Sequence, residues 1–127
     1  MKLITKEIEA QFARIGRQDI PDPIVVAKFF NPCGSGTWHA TEYDSENRIC
    51  FGYVTGLGYD EWGDFSIEEL EALKCTPLNL PIERDLYCGE KNISEHCPEL
   101  SDEIKRRQEL RVIESEKEQS QNNELER

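Results

Sequence analysis

The residues best suited to chemistry in this 127-residue chain form a charged run, Glu83-Arg84-Asp85. In an extended backbone Glu83 and Asp85 share one face and Arg84 takes the other. Two neighbouring carboxylates can bind a metal ion or share a proton, as acid–base enzymes require. The same side chains can instead form an ion-pair cluster, in which Arg84 bridges to Glu42 or Asp44. The pattern favours the ion-pair cluster, and a small hydrolase-type enzyme is the alternative.

His39 is the other candidate for catalysis, because a histidine beside a thiol can activate it as a nucleophile. No flanking motif in the sequence supports such a pair. Packing of His39 beside Thr41 and Tyr43 is therefore the favoured interpretation, and we predict no catalytic residue outside the alternative that uses Glu83, Arg84, Asp85 or His39.

The cysteines are odd in number and contain no CxxC pair: Cys33, Cys50, Cys75, Cys88 and Cys97. Cys88, His96 and Cys97 are residue types that bind zinc. A closed zinc site needs four ligands, commonly in two short-spaced pairs, and this chain matches that pattern poorly. We predict no metal site, no cofactor, and free thiols in a reducing compartment.

The net charge of −11 and the sequence pI near 4.6 restrict the partners. Binding to nucleic acid through phosphates requires clustered Lys and Arg, and so does binding to an anionic membrane surface. We therefore expect neither direct nucleic-acid binding nor membrane binding. The polar N-terminus and the lack of a long apolar run predict a cytoplasmic protein.

Residues 42–71 carry most of the charge, with nine acidic side chains against one basic side chain, Arg48. Plain solubility is one explanation. The other is a surface for a protein partner with a basic groove, since aromatic side chains lie among the acids and favour interfaces. The candidate partner-binding residues are Glu42, Asp44, Glu46, Tyr59, Asp60, Glu61, Trp62, Asp64, Glu68 and Glu71.

The elements that must position these residues follow from hydrophobic periodicity. We predict helices over residues 5–14 and 67–73, strands over 24–30, 37–44, 48–54 and 62–65, and a solvated helix over about 101–118. The class is α+β, an antiparallel meander of about four strands with two packed helices. Residues 1–98 form the single domain, and residues 99–127 form a charged, helical or disordered extension.

Alternation along the second strand separates its side chains between two faces. Trp38, Ala40 and Glu42 take one face, and His39, Thr41 and Tyr43 take the other. Four aromatic side chains are predicted to be core: Phe29, Trp38, Phe51 and Phe65.

Several motifs resemble a bacterial family, domain of unknown function 2958. They are MKLITKEI (1–8), IPDPIVVAKFF (20–30), TWHATEYD (37–44), FGYV (51–54), GDFS (63–66) and LPIERDLY (80–87). The resemblance covers about residues 1–90. It implies a setting on plasmids, phages and integrated elements, often near defence-related genes, and no established activity. The chain departs from the family pattern at His39, Cys33 and Cys88, and in its long charged tail.

The leading functional hypothesis is an acidic, non-enzymatic accessory protein of a mobile genetic element. It would bind a host or defence-system protein as an anti-defence inhibitor, in the manner of a nucleic-acid mimic. The alternatives are the hydrolase described above and an assembly protein that uses its C-terminal helix. The sequence leaves the oligomeric state open.

Overall fold

A computed structural model describes residues 2–125 of the chain. Its helices are α1 (Lys6–Ile15), α2 (Ile67–Ala72), α3 (Ile93–His96) and α4 (Ser101–Leu125). Its strands are β1 (Ile24–Val25), β2 (Ala27–Phe30), β3 (Thr37–Asp44), β4 (Ile49–Thr55), β5 (Glu61–Ser66), β6 (Lys74–Cys75), β7 (Leu80–Pro81), β8 (Glu83–Arg84) and β9 (Lys91–Asn92).

The main sheet has five antiparallel strands in the order β5-β4-β3-β2-β8. Strands β2 to β5 are the predicted meander, which is confirmed. The fifth strand, β8, returns from later in the chain and pairs with the outer side of β2. Two short ribbons, β1–β9 and β6–β7, flank this sheet. The predicted α+β class is correct.

Helix α1 begins at a cap, where the Thr5 hydroxyl accepts a hydrogen bond from the Ile8 amide at 3.2 Å. The helix ends at Gly16, whose φ of 69° favours glycine. Phe12 is buried against the sheet, and its ring lies 5.4 Å from the ring of Tyr43. The predicted amphipathic helix is therefore confirmed within one residue at each end.

Strand β3 contains a β-bulge at Thr41, where the pairing with β4 steps from Ala40 to Glu42. The extra residue reverses the alternation of side chains beyond it. Tyr43 consequently returns to the face of Ala40, and Glu42 joins the opposite face. The prediction of strict alternation was therefore wrong for Glu42 and Tyr43.

Gln18 holds this bulge in place. Its amide nitrogen donates to the Thr41 and Ile24 carbonyl oxygens, both at 2.8 Å. Its amide oxygen accepts from the Ile24 N–H at 2.7 Å. The side chain thus satisfies backbone groups of both β1 and β3 beside the bulge.

Each face of the sheet is covered by its own hydrophobic cluster. The first includes Leu3, Phe12, Phe29, Trp38, Ala40, Cys50, Ile67 and Leu70. The second lies under the later part of the chain and consists of Val25, Tyr53, Cys88, Ile93, Cys97, Leu100 and Ile104, with Trp62 packed against it. Phe29 and Trp38 are buried as predicted, and Phe65 is partly buried in the first cluster. Phe51 was wrongly predicted to be core, because it lies on the second face and is 37% exposed.

Helix α4 packs on the body only at its start. Leu100, just before the helix, and Ile104 are buried in the second cluster, and Arg111 donates to the Asp19 carbonyl oxygen at 2.7 Å. The side chains from Val112 to Asn122 are all exposed. The helix is longer than the sequence predicted, and a domain boundary at residue 98 stays a prediction. None of the helices in residues 2–125 combines the length and apolar character needed to cross a membrane.

A substitution at Gly52 tests how closely β3 and β4 approach each other beside the bulge. A Cβ at this position would lie 1.8 Å from the His39 carbonyl oxygen. We expect Gly52→Ala to lower the free energy of unfolding by about 1–3 kcal/mol, the usual cost of overpacking. Gly63 lies directly opposite on β5, and a Cβ there meets no atom within 4 Å. Gly63→Ala is thus the matched control and should be neutral or stabilising. Equal losses for both variants in urea denaturation would contradict this account.

Candidate functional site

The acidic segment of residues 42–71 follows one side of the sheet. Among the described elements, β5 pairs only with β4, so its outer edge is open. The exposed carboxylates along this side are Asp60, Glu61, Asp64, Glu68 and Glu69, which we call the acidic edge. Asp60 and Glu61 lie where β5 begins, and Glu68 and Glu69 lie where α2 follows it.

The acidic edge is a band rather than a compact patch. Residues 45–48 join β3 to β4 at one end of the sheet, and residues 56–60 join β4 to β5 at the other end. Six residues of extended chain, the length of β5, span about 17 Å. The predicted partner-binding residues Asp44 and Glu46 therefore lie at the opposite end from Tyr59 and Asp60.

Three of the predicted partner-binding carboxylates accept hydrogen bonds within the chain: Glu71, Asp44 and Asp60, the last from the Gly56 N–H at 3.1 Å. Glu71 accepts from the Leu3 N–H at 3.0 Å and from Arg48 at 2.6 Å. Partial burial raises the pKa of Glu71, but these two hydrogen bonds outweigh burial and leave the pKa below its usual value. Asp44 accepts from the Asn47 side chain at 2.8 Å and closes the turn, which lowers the pKa of Asp44.

Aromatic side chains adjoin the acidic edge on the second face of the sheet. The rings of Trp62 and Phe51 stack with centroids 5.9 Å apart, and Trp62 also packs against Tyr53 at 5.1 Å. A cleft of about 630 Å³ opens between the stacked Phe51 and Trp62 rings, residues 17–23 and the start of α4. Arg17 lines this cleft 4.0 Å from Glu42, so the cleft carries mixed charge.

The Glu83-Arg84-Asp85 run lies at the other edge of the sheet, on and just after β8. Arg84 does not bridge to Glu42 or Asp44, so that prediction was wrong. It donates instead to the carbonyl oxygens of Lys2 and Leu3, at 2.9 and 3.3 Å. Strands β2 and β8 lie side by side, while Glu42 is on β3, and this separation explains the absence of the bridge.

The two carboxylates of this run do not converge on one cavity. Asp85 lies 4.0 Å from Lys28 and lines a cleft of about 290 Å³ together with Arg84. Glu83 is paired in register with Phe30 and is not among the residues that line this cleft. The structure thus separates Glu83 from the cleft that Asp85 and Arg84 line. The other carboxylate in that cleft is Glu90, which pairs with Arg14.

His39 is buried on the second face, away from Tyr43, so its predicted packing beside Tyr43 was wrong. Its Nδ1 lies 2.9 Å from the Tyr53 carbonyl oxygen, and its Nε2 lies 3.6 Å from Cys97 Sγ. Burial lowers the pKa of His39 and raises the pKa of Cys97 to about 11. A neutral imidazole beside a buried, protonated thiol is not an activated nucleophile.

Sequence reasoning missed both Cys97 as the partner of His39 and Gln18 as the support of the bulge. Cys97 is 58 positions from His39, and neither residue stands in a motif that indicates the other. Gln18 lies in a connector, where a single glutamine carries no pattern. These contacts depend on how the later chain folds back over the sheet.

Fold and site together define a small α+β protein whose antiparallel sheet is covered by a hydrophobic cluster on each face and has an acidic open edge. The chain belongs to the family described as protein of unknown function (DUF2958), which it matches over residues 3–106. The resemblance seen in the sequence motifs is thereby confirmed. No curated protein and no solved structure matches the chain.

Glu71 gives a pH-dependent test of the internal contacts. Because its folded-state pKa is depressed, its ionised form stabilises the fold above the usual pKa of about 4.5, and this stabilisation is lost as the pH falls through the folded-state value. We expect Glu71→Gln to cost about 1–2 kcal/mol at neutral pH, with the difference from wild type shrinking below pH 4.5.

The control is Glu68→Gln, because Glu68 is well exposed and lies 3.9 Å from Arg48. Its effect should be close to zero at every pH. Urea denaturation across a pH series measures both variants, and a Glu71→Gln loss that does not vary with pH would contradict the assignment.

Proposed function

We propose that this chain is a non-enzymatic accessory protein of a mobile genetic element that binds a host or defence-system protein in the cytoplasm. The contact surface is the acidic edge, and the partner presents a basic surface of the kind that otherwise holds nucleic acid. The observation that carries the proposal is the open side of β5, along which exposed carboxylates follow one another without a covering element in the described residues.

Electrostatics suits this edge to a basic partner. Charge complementarity speeds association and selects against acidic competitors. Residues 42–71 hold a net charge of −8, whereas the extension from Ser101 onward is nearly balanced, with six basic and eight acidic residues. Five of the nine acidic side chains in residues 42–71 belong to the acidic edge, so the surface charge of the protein is unevenly distributed.

Exposed apolar side chains just before β5 can add hydrophobic contacts to the electrostatic attraction of the acidic edge. Tyr59 is 84% exposed and Leu57 is 59% exposed, and both lie in the loop that leads into the strand. Aromatic side chains of this kind carry much of the energy of protein interfaces. The unpaired backbone of β5 can in addition accept a strand from the partner.

The proposal is tested by charge reversal on β5 with a matched control on α4. Glu61→Lys with Asp64→Lys changes the net charge as much as Glu114→Lys with Glu118→Lys, and all four side chains are exposed. Affinity capture from a nuclease-treated bacterial lysate, quantified by mass spectrometry, compares both variants with wild type. We expect a partner bound by wild type and by the α4 variant, with at least tenfold less bound by the β5 variant.

Capture should also weaken as salt is added, because exposed charges are screened. Equal capture by the two variants would contradict the proposal, since it would assign the effect to net charge and not to the edge. A wild-type protein that captures nothing specific would contradict it as well.

A further inference from the structure

Two cysteine–histidine pairs lie together on the second face of the sheet. Cys97 Sγ is 3.6 Å from His39 Nε2, and Cys88 Sγ is 3.9 Å from His96 Nε2. The rings of the two histidines are in contact, with centroids 5.9 Å apart. Three of these four side chains, those of His39, Cys88 and Cys97, are buried. The proposed binding at the acidic edge makes no use of this group, which we call the Cys–His cluster.

The spacing within each pair is that of neighbouring ligands on a tetrahedral zinc ion. With Zn–S near 2.3 Å and Zn–N near 2.0–2.1 Å, sulfur and nitrogen ligands lie about 3.6 Å apart. The Cys97–His39 pair already has this separation, and the Cys88–His96 pair exceeds it by 0.3 Å. Both histidines use Nε2, so each presents the same ring atom to its thiol.

His39 is oriented as a metal ligand would be. Its Nδ1 lies 2.9 Å from the Tyr53 carbonyl oxygen. A carbonyl can only accept, so in the neutral ring Nδ1 carries the proton and Nε2 keeps its lone pair. Zinc-binding histidines commonly have this second contact, which fixes the ring and the tautomer. The lone pair points at Cys97, inside the cluster.

The two Cys–His pairs must move closer together before they can share one ion. Among residues 2–122, no group of three His, Cys, Asp or Glu side chains is placed to hold a metal ion as the chain stands. His96 is the side chain with room to move, since it is only half-buried at the end of the one-turn helix α3. The proposal requires a rearrangement of this side chain that keeps Nε2 near Cys88 and brings it within reach of the other pair. Asp22 anchors α3, its carboxylate accepting from the Ser94 hydroxyl at 2.7 Å, so the backbone can stay in place.

We propose that Cys88, His96, Cys97 and His39 bind one Zn²⁺ ion as a closed structural site. The two thiols lose their protons to solvent on binding, and two thiolates with two neutral imidazoles balance the charge of the ion. Such a neutral complex is compatible with a buried position. Lys28, which pairs in register with His39 on β2, adds a positive charge that favours the thiolates.

The site would tie the central strand of the sheet to the chain that covers its second face. His39 belongs to β3, and the other three ligands lie between residues 88 and 97. The metal would thereby fix the base from which α4 extends. Zinc here is structural, because all four positions are taken by the protein and none is left for water or substrate.

Cobalt titration of the full chain under reducing conditions tests the site directly. Tetrahedral Co²⁺ with thiolate ligands gives strong visible bands and a near-ultraviolet charge-transfer band. We expect one equivalent of Co²⁺ to produce these bands and one equivalent of Zn²⁺ to abolish them. Zinc should also raise the melting temperature of wild type, and a chelator should reverse the rise.

Cys97→Ser and Cys88→Ser should weaken cobalt binding by more than the roughly 10–100-fold that the loss of a supporting contact costs. Cys33→Ser is the matched control, since Cys33 lies in the first cluster, where its thiol donates to the Cys75 carbonyl oxygen. It should leave the spectrum unchanged. A wild-type chain without the bands would overturn the proposal whatever the variants do. Binding that survives in both cluster variants would place the metal outside the Cys–His cluster and overturn it too.

Discussion

The extra residue in β3 is the constraint on which the rest of the structure depends. By adding Thr41 to the strand, the bulge lets Ala40 and Tyr43 share the face that meets α1, while His39 and Glu42 share the other. Without it, Glu42 would point into the first cluster and Tyr43 would leave Phe12. The unpaired backbone at the bulge needs partners, and Gln18 supplies them from a connector that is remote in sequence. One glutamine side chain thus links β1 to the middle of the sheet.

Both faces of the main sheet are largely covered by other parts of the chain. Helices α1 and α2 cover the first face, and residues 88–104 cover much of the second. Both edge strands of the main sheet are unpaired on their outer sides, but β8 has only two residues whereas β5 has six. Along β5 the exposed carboxylates discourage uncontrolled strand pairing. The acidic edge is thus protected against uncontrolled strand pairing, and it is the docking surface that we propose. The hydrolase alternative relied on Glu83 and Asp85, and these two carboxylates do not line a common cleft.

Local sequence patterns predicted the helices and strands, but they did not predict the contacts between residues far apart in the chain. Ile8, Phe12 and Ile15 recur at helical spacing, which predicts α1. A serine three residues before a glutamate is typical of a helix start, and the Ser66 hydroxyl indeed accepts from the Glu69 amide at 3.2 Å where α2 begins. The bulge was not predictable, because Thr41 stands in an unbroken strand pattern without glycine or proline. Arg84 was assigned to carboxylates because charge is visible in a sequence, whereas its actual acceptors are main-chain carbonyls. The Cys–His cluster likewise joins β3 to a segment some 50 residues further on, which spacing rules cannot foresee.

Amide hydrogen exchange in Gln18→Ala, compared with wild type, tests most directly whether the Gln18 contacts at the bulge hold β1 and the later chain on the sheet. Gln18 binds Ile24 through both its N–H and its carbonyl, and Ile24 pairs with Asn92 of β9. We predict faster exchange at Ile24 and Val26 and through residues 88–104, with β4, β5 and α1 still protected. Unchanged exchange, or a uniform loss of protection across the whole chain, would contradict this account.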